Sequence, residues 1–335
     1  MTVRIKKALL SIAKVALSAA LLYYLLQGGT LQRVIELTRD RFHLAPFLLG
    51  VAAFAISNVL GGLQWNILLR AQGIEIGLGR AIALYFVGLF FSNFLPANIG
   101  GDVVKVVDVY RSSGRGGGAV AATVMDRAIG LAMLAALACF AGPFALPVLG
   151  HQSFLLLLPL FLFLFVGAVL MMLSRRVGGL LLRITAAVPV RFVREKGESV
   201  LTAVLQFRGR RRALLLALGI SLPVQTLRIL VHFAAARAIG IDAPALYFFL
   251  FIPIVAVFIA LPISINGIGV REGFGVLLFR KIGISTEAAI SISFLAYVIG
   301  VLVSLAGGAI FVLRSREVRK RRALAPSLRE EVESR

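Results

Sequence analysis

Two short stretches of this sequence place charged residues directly after a proline and paired or near-paired glycines. They are NFLPANIGGDVVK over 93–105 and ALPISINGIGVRE over 260–272. The first offers Asn93, Asn98, Asp102 and Lys105; the second offers Ser264, Asn266, Arg271 and Glu272. A lysine point charge and a planar arginine fork both suit an anionic group, a phosphate above all. Amides freed where a helix unwinds can add donors to the same group. Asp102 and Glu272 are then expected to hold the cations in place or to bind a coupling proton. The alternative is that the four charges neutralise one another and bridge the two stretches.

Further polar residues fall inside apolar runs, where charge is costly and usually faces a bundle interior or an aqueous path. Arg228 follows Pro223 and Gln225 in a segment expected to kink, and it is a candidate to face water or ligand. Asp126 and Arg127 open an apolar run and are expected to cap or brace the first stretch rather than touch a ligand. Asn58, Gln64 and Asn66 fit interhelical hydrogen bonding. His43, His151 and His232 stand far apart and Cys139 is the single cysteine, so neither a metal site, a disulfide nor a cofactor is expected.

These residues sit in a chain of 335 that is 59% hydrophobic and 15% charged, with a mean hydropathy of +0.95. That composition describes a polytopic membrane protein. The net charge of +21 fits basic loops held at an anionic cytoplasmic leaflet, and no nucleic-acid-binding motif accompanies it.

A spanning helix needs about 20 apolar residues. Runs at 8–26, 45–69, 119–142, 153–173, 213–236 and 286–313 qualify. The runs 81–95 and 245–261 are shorter and each ends at Leu-Pro, where a helix breaks or kinks. The expected fold is therefore all-α, with six transmembrane helices and two re-entrant helical hairpins, 81–111 and 245–281. Arg4, Lys6, Lys7, the basic loop 174–212 and the cluster Arg314–Arg322 then fall on the cytoplasmic side, while 143–152 falls outside with no Lys or Arg. Counting both hairpins as full crossings leaves the parity unchanged. The run 4–26 is expected to be a retained anchor rather than a cleaved signal. The loop 174–212 is expected to hold a basic amphipathic helix on the membrane surface. A single integral domain over 1–322 leaves 323–335 as a charged tail.

The two stretches also repeat. Leu95, Pro96, Ile99, Gly101, Val104 and Lys105 match Leu261, Pro262, Ile265, Gly267, Val270 and Arg271 at an offset of 166, and RAQGI (70–74) matches RAIGI (237–241) at 167. An internal duplication is expected, with repeat one over about 8–142 and repeat two over about 153–314. Under the topology above the repeats are inverted, an arrangement in which broken helices meet near the midplane to bind substrate.

LPANIGGDVVKVVDVYR, VMDRAIG and LPISINGIGVREG together resemble the flippase-like family that includes the transmembrane region of lysylphosphatidylglycerol synthases. The resemblance covers roughly 8–314. It implies translocation of an anionic or amino-acylated phospholipid, or of a polyprenyl-linked glycolipid, in the cytoplasmic membrane. It carries over Asp102, Asp126, Arg127, Arg271 and Glu272 as motif positions, while Lys105 stands where an arginine is expected. The soluble catalytic domain of the synthases has no counterpart here, so synthase activity does not carry over. The expectation is a non-enzymatic lipid transporter whose partners are the bilayer and a lipid with an anionic head group. The rivals are an integral lipid-modifying transferase using Asp102 or Glu272 as base, and an accessory subunit of a lipid-synthesis enzyme.

Overall fold

The computed structural model describes residues 41–94, 100–149, 191–260 and 269–333, with isolated positions between 32 and 39 and at 159 and 163. The expectations for 8–26, 153–173 and most of 174–190 lie outside the described residues, as do Asn98, Ser264 and Asn266.

Every described element is helical. The helices are α1 (Leu44–Ala71), α2 (Leu78–Phe94), α3 (Gly100–Ser113), α4 (Gly116–Leu149), α5 (Arg191–Gln206), α6 (Arg211–Ala238), α7 (Ala245–Ala260), α8 (Val270–Phe279) and α9 (Thr286–Glu333). Among the described residues, four stretches are long and apolar enough to cross a membrane: Leu44–Ala71, Gly116–Phe144, Arg211–Ala238 and Thr286–Arg314. The chain is thus a multi-pass membrane protein. Pro223 sits inside α6 without ending it. The 17 residues of α2 and 16 of α7 rise only about 26 and 24 Å, short of a core of about 30 Å.

One end of the bundle is basic. There Arg115 Nη1 donates to the carbonyls of Gln72 (3.4 Å) and Gly73 (3.0 Å), and Gln72 Nε2 donates to the Ala203 carbonyl of α5 (2.8 Å). At the other end the His43 amide donates to the Ala238 carbonyl (2.7 Å). The start of α1 therefore meets the end of α6, and the two helices run antiparallel. Both have 28 residues, and their boundaries differ by the same 167 positions as RAQGI and RAIGI.

The local structure of those two motifs coincides. Ile74 and Gly73 donate to the carbonyls of Leu69 and Arg70; Ile241 and Gly240 donate to those of Ala236 and Arg237. Gly73 and Gly240 both have φ of 70°. Each is a helix stop with a left-handed glycine, which a side chain would strain. The packing coincides as well. α1 lies on α6, α2 on α9 and α7 on α4; α1–α2 and α6–α7 pair alike, as do α2–α3 and α7–α8, and α3–α4 and α8–α9. Exchanging the halves maps the α1–α6 pairing onto itself and each of the others onto its counterpart.

Helices α2 and α3 form an antiparallel hairpin whose free ends both lie at the basic end. Gly88 faces Gly101 and Lys105, and Arg80 reaches Asp108. Helices α7 and α8 form the other hairpin, zipped by Phe258 on Phe274 (ring centroids 3.9 Å) and Phe251 on Phe279 (5.3 Å). Two apolar cores flank the interior: one at the basic end around Trp65, Leu68 and Phe207, the other around Phe248, Phe251 and Phe279.

The valine-rich segment 102–111 is helical. Gly101, Lys105 and Val109 are buried, while Val103, Val107 and Tyr110 are exposed. Val106 packs against the core at the basic end. α3 is inside out by soluble standards, with charge inward and valine outward, as a lipid surround requires.

Candidate functional site

Lys105 is the buried cation of hairpin one, only 5% exposed. Its Nζ lies 2.8 Å from Asp102 Oδ1, one turn earlier on α3. It also lies over the rings of Tyr85 (4.5 Å) and Trp65 (5.1 Å), so aromatic faces solvate the rest of the charge. The other Asp102 oxygen accepts from Arg127 Nε of α4 at 2.5 Å. One carboxylate therefore holds two cations.

A second set of polar groups faces the first. Asp126 is buried; its Oδ1 accepts from Gln64 Nε2 (2.8 Å) and its Oδ2 from the Tyr85 hydroxyl (3.4 Å). Arg228 Nη2 of α6 reaches the same hydroxyl at 3.4 Å. Trp65 is fixed by its indole N–H, which donates to Thr123 Oγ1 at 3.1 Å.

Small residues bring these elements together. A Cβ on Gly101 would collide with the Gly88 carbonyl and Ser92 Oγ, and one on Gly61 would meet the Tyr85 ring at 2.7 Å. Side chains at those two positions would push α3 and α1 away from α2. Close backbone approach through small residues is the usual way helices pack in a membrane.

The groups enclose a cavity of about 310 Å³. Among the described residues its charged lining is Lys105, Arg127 and Arg228 with Asp102 and Asp126, three cations against two carboxylates, so one positive charge is left over there. Asn58, Gln225 and Ser92 add neutral polar groups. Asn58 and Gln225 are again 167 apart, each near the middle of its 28-residue helix. Lys105 stands eight residues, about 12 Å, from the end of α3, and Asp126 ten residues, about 15 Å, into α4. Both lengths are about half the thickness of a hydrocarbon core. Buried Arg228 Nε and Gln64 Oε1 have no hydrogen-bond partner among the described residues. Buried polar groups are normally paired, so these two are available to a ligand.

Of the residues singled out in the sequence, the structure brings Asp102, Lys105 and Arg228 to one cavity. It places Asp126 and Arg127 there too, although bracing was the role expected for them. Asn93, at the end of α2, has a buried Nδ2 with no partner among the described residues and is not in the described lining. Arg271 and Glu272 are also outside the lining. Arg271 donates to Glu272 Oε1 through Nε (3.0 Å) and Nη2 (2.7 Å) and lies over the Tyr297 ring at 5.1 Å. Glu272 Oε2 accepts the Gly269 amide at 2.7 Å and so caps α8. This second cluster is charge-balanced where the first is not.

Sequence reasoning passed over Tyr85 and Trp65, and it read Gln64 and Asn58 as interhelical contacts alone. The available signal was the Gly61-Gly62 pair beside Gln64-Trp65-Asn66, small residues followed by three polar-capable ones in a span.

Comparison with known proteins agrees with a membrane protein. The sequence matches the family described as Lysylphosphatidylglycerol synthase TM region over residues 11–308. A UPF0104 membrane protein of Pyrococcus horikoshii is 31% identical over 112 residues, which cover 33% of this chain and 32% of that protein. The aligned stretch thus spans about a third of that relative.

Proposed function

The chain belongs to the family of the lysylphosphatidylglycerol synthase TM region, and on that premise we propose that it moves a lipid with an anionic head group across the cell membrane. The single observation that carries this reading is the cavity at Lys105, whose described lining holds one positive charge in excess among apolar helices. An uncompensated charge there is costly, and an anionic head group offsets it. The cavity volume of about 310 Å³ is enough for a head group, while the acyl chains stay outside against Val103, Val107 and Tyr110. The lipid is an acidic or amino-acylated phospholipid or a polyprenyl-linked lipid.

In this reading the two hairpins are re-entrant and the halves form an inverted repeat. The shortness of α2 and α7, the exchangeable packing and the antiparallel run of the equivalent helices α1 and α6 support it. The basic end and both termini are then cytoplasmic. The protein acts as a transporter rather than an enzyme, with Lys105, Arg127 and Arg228 attracting the head group and Asp102 and Asp126 positioning them.

The test is transbilayer movement of labelled anionic, zwitterionic and polyprenyl-phosphate lipids in proteoliposomes, with and without a proton gradient. Wild type is expected to move anionic lipids selectively, and Lys105→Ala and Arg228→Ala to lose that movement while remaining folded. Equal movement by wild type and both variants overturns the site. Turnover of a labelled head group by the purified protein would replace transport with transferase chemistry.

A further inference from the structure

Outside the cavity, the strongest unassigned charge cluster lies nearer the basic end of hairpin one. Asp108 Oδ1 accepts from Arg80 Nη2 of α2 at 2.7 Å, and Asp108 Oδ2 is 3.5 Å from Arg314 Nη2 of α9. One carboxylate again holds two guanidinium groups, so one positive charge is left over. The three side chains are 34–38% exposed, yet Arg80 Nε is buried and has no partner among the described residues. Asp108 ties α2 and α9 to α3 through two arginines, one cation more than the carboxylate neutralises. The two, held on opposite oxygens of the same group, present the spaced donors that phosphate oxygens accept.

The surroundings decide the kind of anion. Val107 and Tyr110 of α3 and Phe311, Val312 and Leu313 of α9 are all exposed near the cluster in sequence, an apolar frame suited to acyl chains rather than to a soluble ion. Asp108 is five residues, about 8 Å, from the end of α3, so it lies nearer the basic end than Lys105. Asp102, Lys105 and Asp108 follow one another at every third residue of α3, steps of about 4.5 Å along its axis.

We infer that Arg80 and Arg314, held by Asp108, form a second anion site that binds the phosphate of an anionic phospholipid in the adjacent leaflet before its head group passes along α3 to Lys105. This rests on the transport reading for its second half only; the binding stands by itself. Asp108 competes with the lipid phosphate for both arginines, and its displacement lets the head group leave again.

Phosphatidylglycerol is titrated against the full-length protein in detergent, and the first bound lipid is quantified by native mass spectrometry, with phosphatidylcholine and inorganic phosphate as separate arms. Arg80→Gln/Arg314→Gln is expected to weaken phosphatidylglycerol binding about tenfold. Asp108→Asn is expected to strengthen it, because the competing carboxylate is gone; Arg80→Lys/Arg314→Lys should retain part of it. Binding unchanged in the double Gln variant, or weakened by Asp108→Asn as much as by loss of the arginines, makes the cluster a brace and overturns the proposal. Displacement by inorganic phosphate as effective as by lipid overturns the lipid assignment. Binding that follows the expected order in a protein that moves no lipid leaves this site standing and removes the transport reading alone.

Discussion

Gly101 rests against Gly88 so closely that a Cβ on Gly101 would overlap the Gly88 carbonyl oxygen. This crossing sets the distance between α2 and α3 and lets the Lys105 stem lie along α2. Gly101→Ala is expected to cost about 1–3 kcal/mol through overpacking and to lower the unfolding temperature in detergent. Gly77→Ala, where an added Cβ meets nothing within 4 Å, should leave it unchanged.

Because Asp102 holds both Lys105 and Arg127, loss of either cation leaves the carboxylate paired. Each single alanine variant should therefore cost less stability than the double variant, which strands a mostly buried carboxylate at about 3–5 kcal/mol. Chemical denaturation of the two singles and the double checks this. Additive losses would show that Asp102 does not couple the pair.

Trp65 is the only tryptophan, and Lys105 sits 5.1 Å from its ring. An anionic lipid that draws the ammonium toward itself should shift the emission of wild type. In Lys105→Met the same titration with phosphatidylglycerol should leave the spectrum flat.

The two helix stops predict a graded pair. Gly240→Ala places a side chain at φ of 70° and should cost about 1–2 kcal/mol. Gly73→Ala carries the same strain, and its Cβ would in addition displace Arg115 Nη1. It should be the more damaging of the two in thermal melts, and the difference should vanish in an Arg115→Ala background.

Ser113 lies at the basic end beside Arg115, and Gly283 follows the 3-10 turn Arg280–Ile282 after α8. With Cys139 replaced, single cysteines at these positions should react with an impermeant maleimide from opposite faces of the membrane. Reaction of both from one face would remove the inverted arrangement of the halves.

Much of this was legible because charge inside an apolar run is conspicuous. Asp102, Lys105 and Arg228 stood out for that reason, and RAQGI and RAIGI correspond to two turns with the same hydrogen bonds. The partners of Lys105 were not legible. Tyr85 and Trp65 are ordinary membrane residues until Gly61 and Gly88 bring their helices together. The matched positions of Lys105 and Arg271 suggested one shared environment, but an adjacent residue, Glu272, takes up Arg271. Spacing along a chain ranks equivalent positions; it does not report what the other helices bring to them. Asp108 escaped notice as a site because its two arginines lie on α2 and α9, far from it in sequence.

The crosswise pairing of the halves has a consequence for biosynthesis. α2 is covered by α9, where a Cβ on Gly307 would overlap the Phe86 carbonyl, while α7 is covered by α4. The ribosome makes hairpin one long before Gly307 exists. Until α9 is threaded, hairpin one lacks its cover, and the insertion machinery must shelter the flank that α9 will take. α9 is therefore a closing clasp for hairpin one, and a nascent chain stopped short of it would be expected to meet quality-control proteases with that hairpin unfinished.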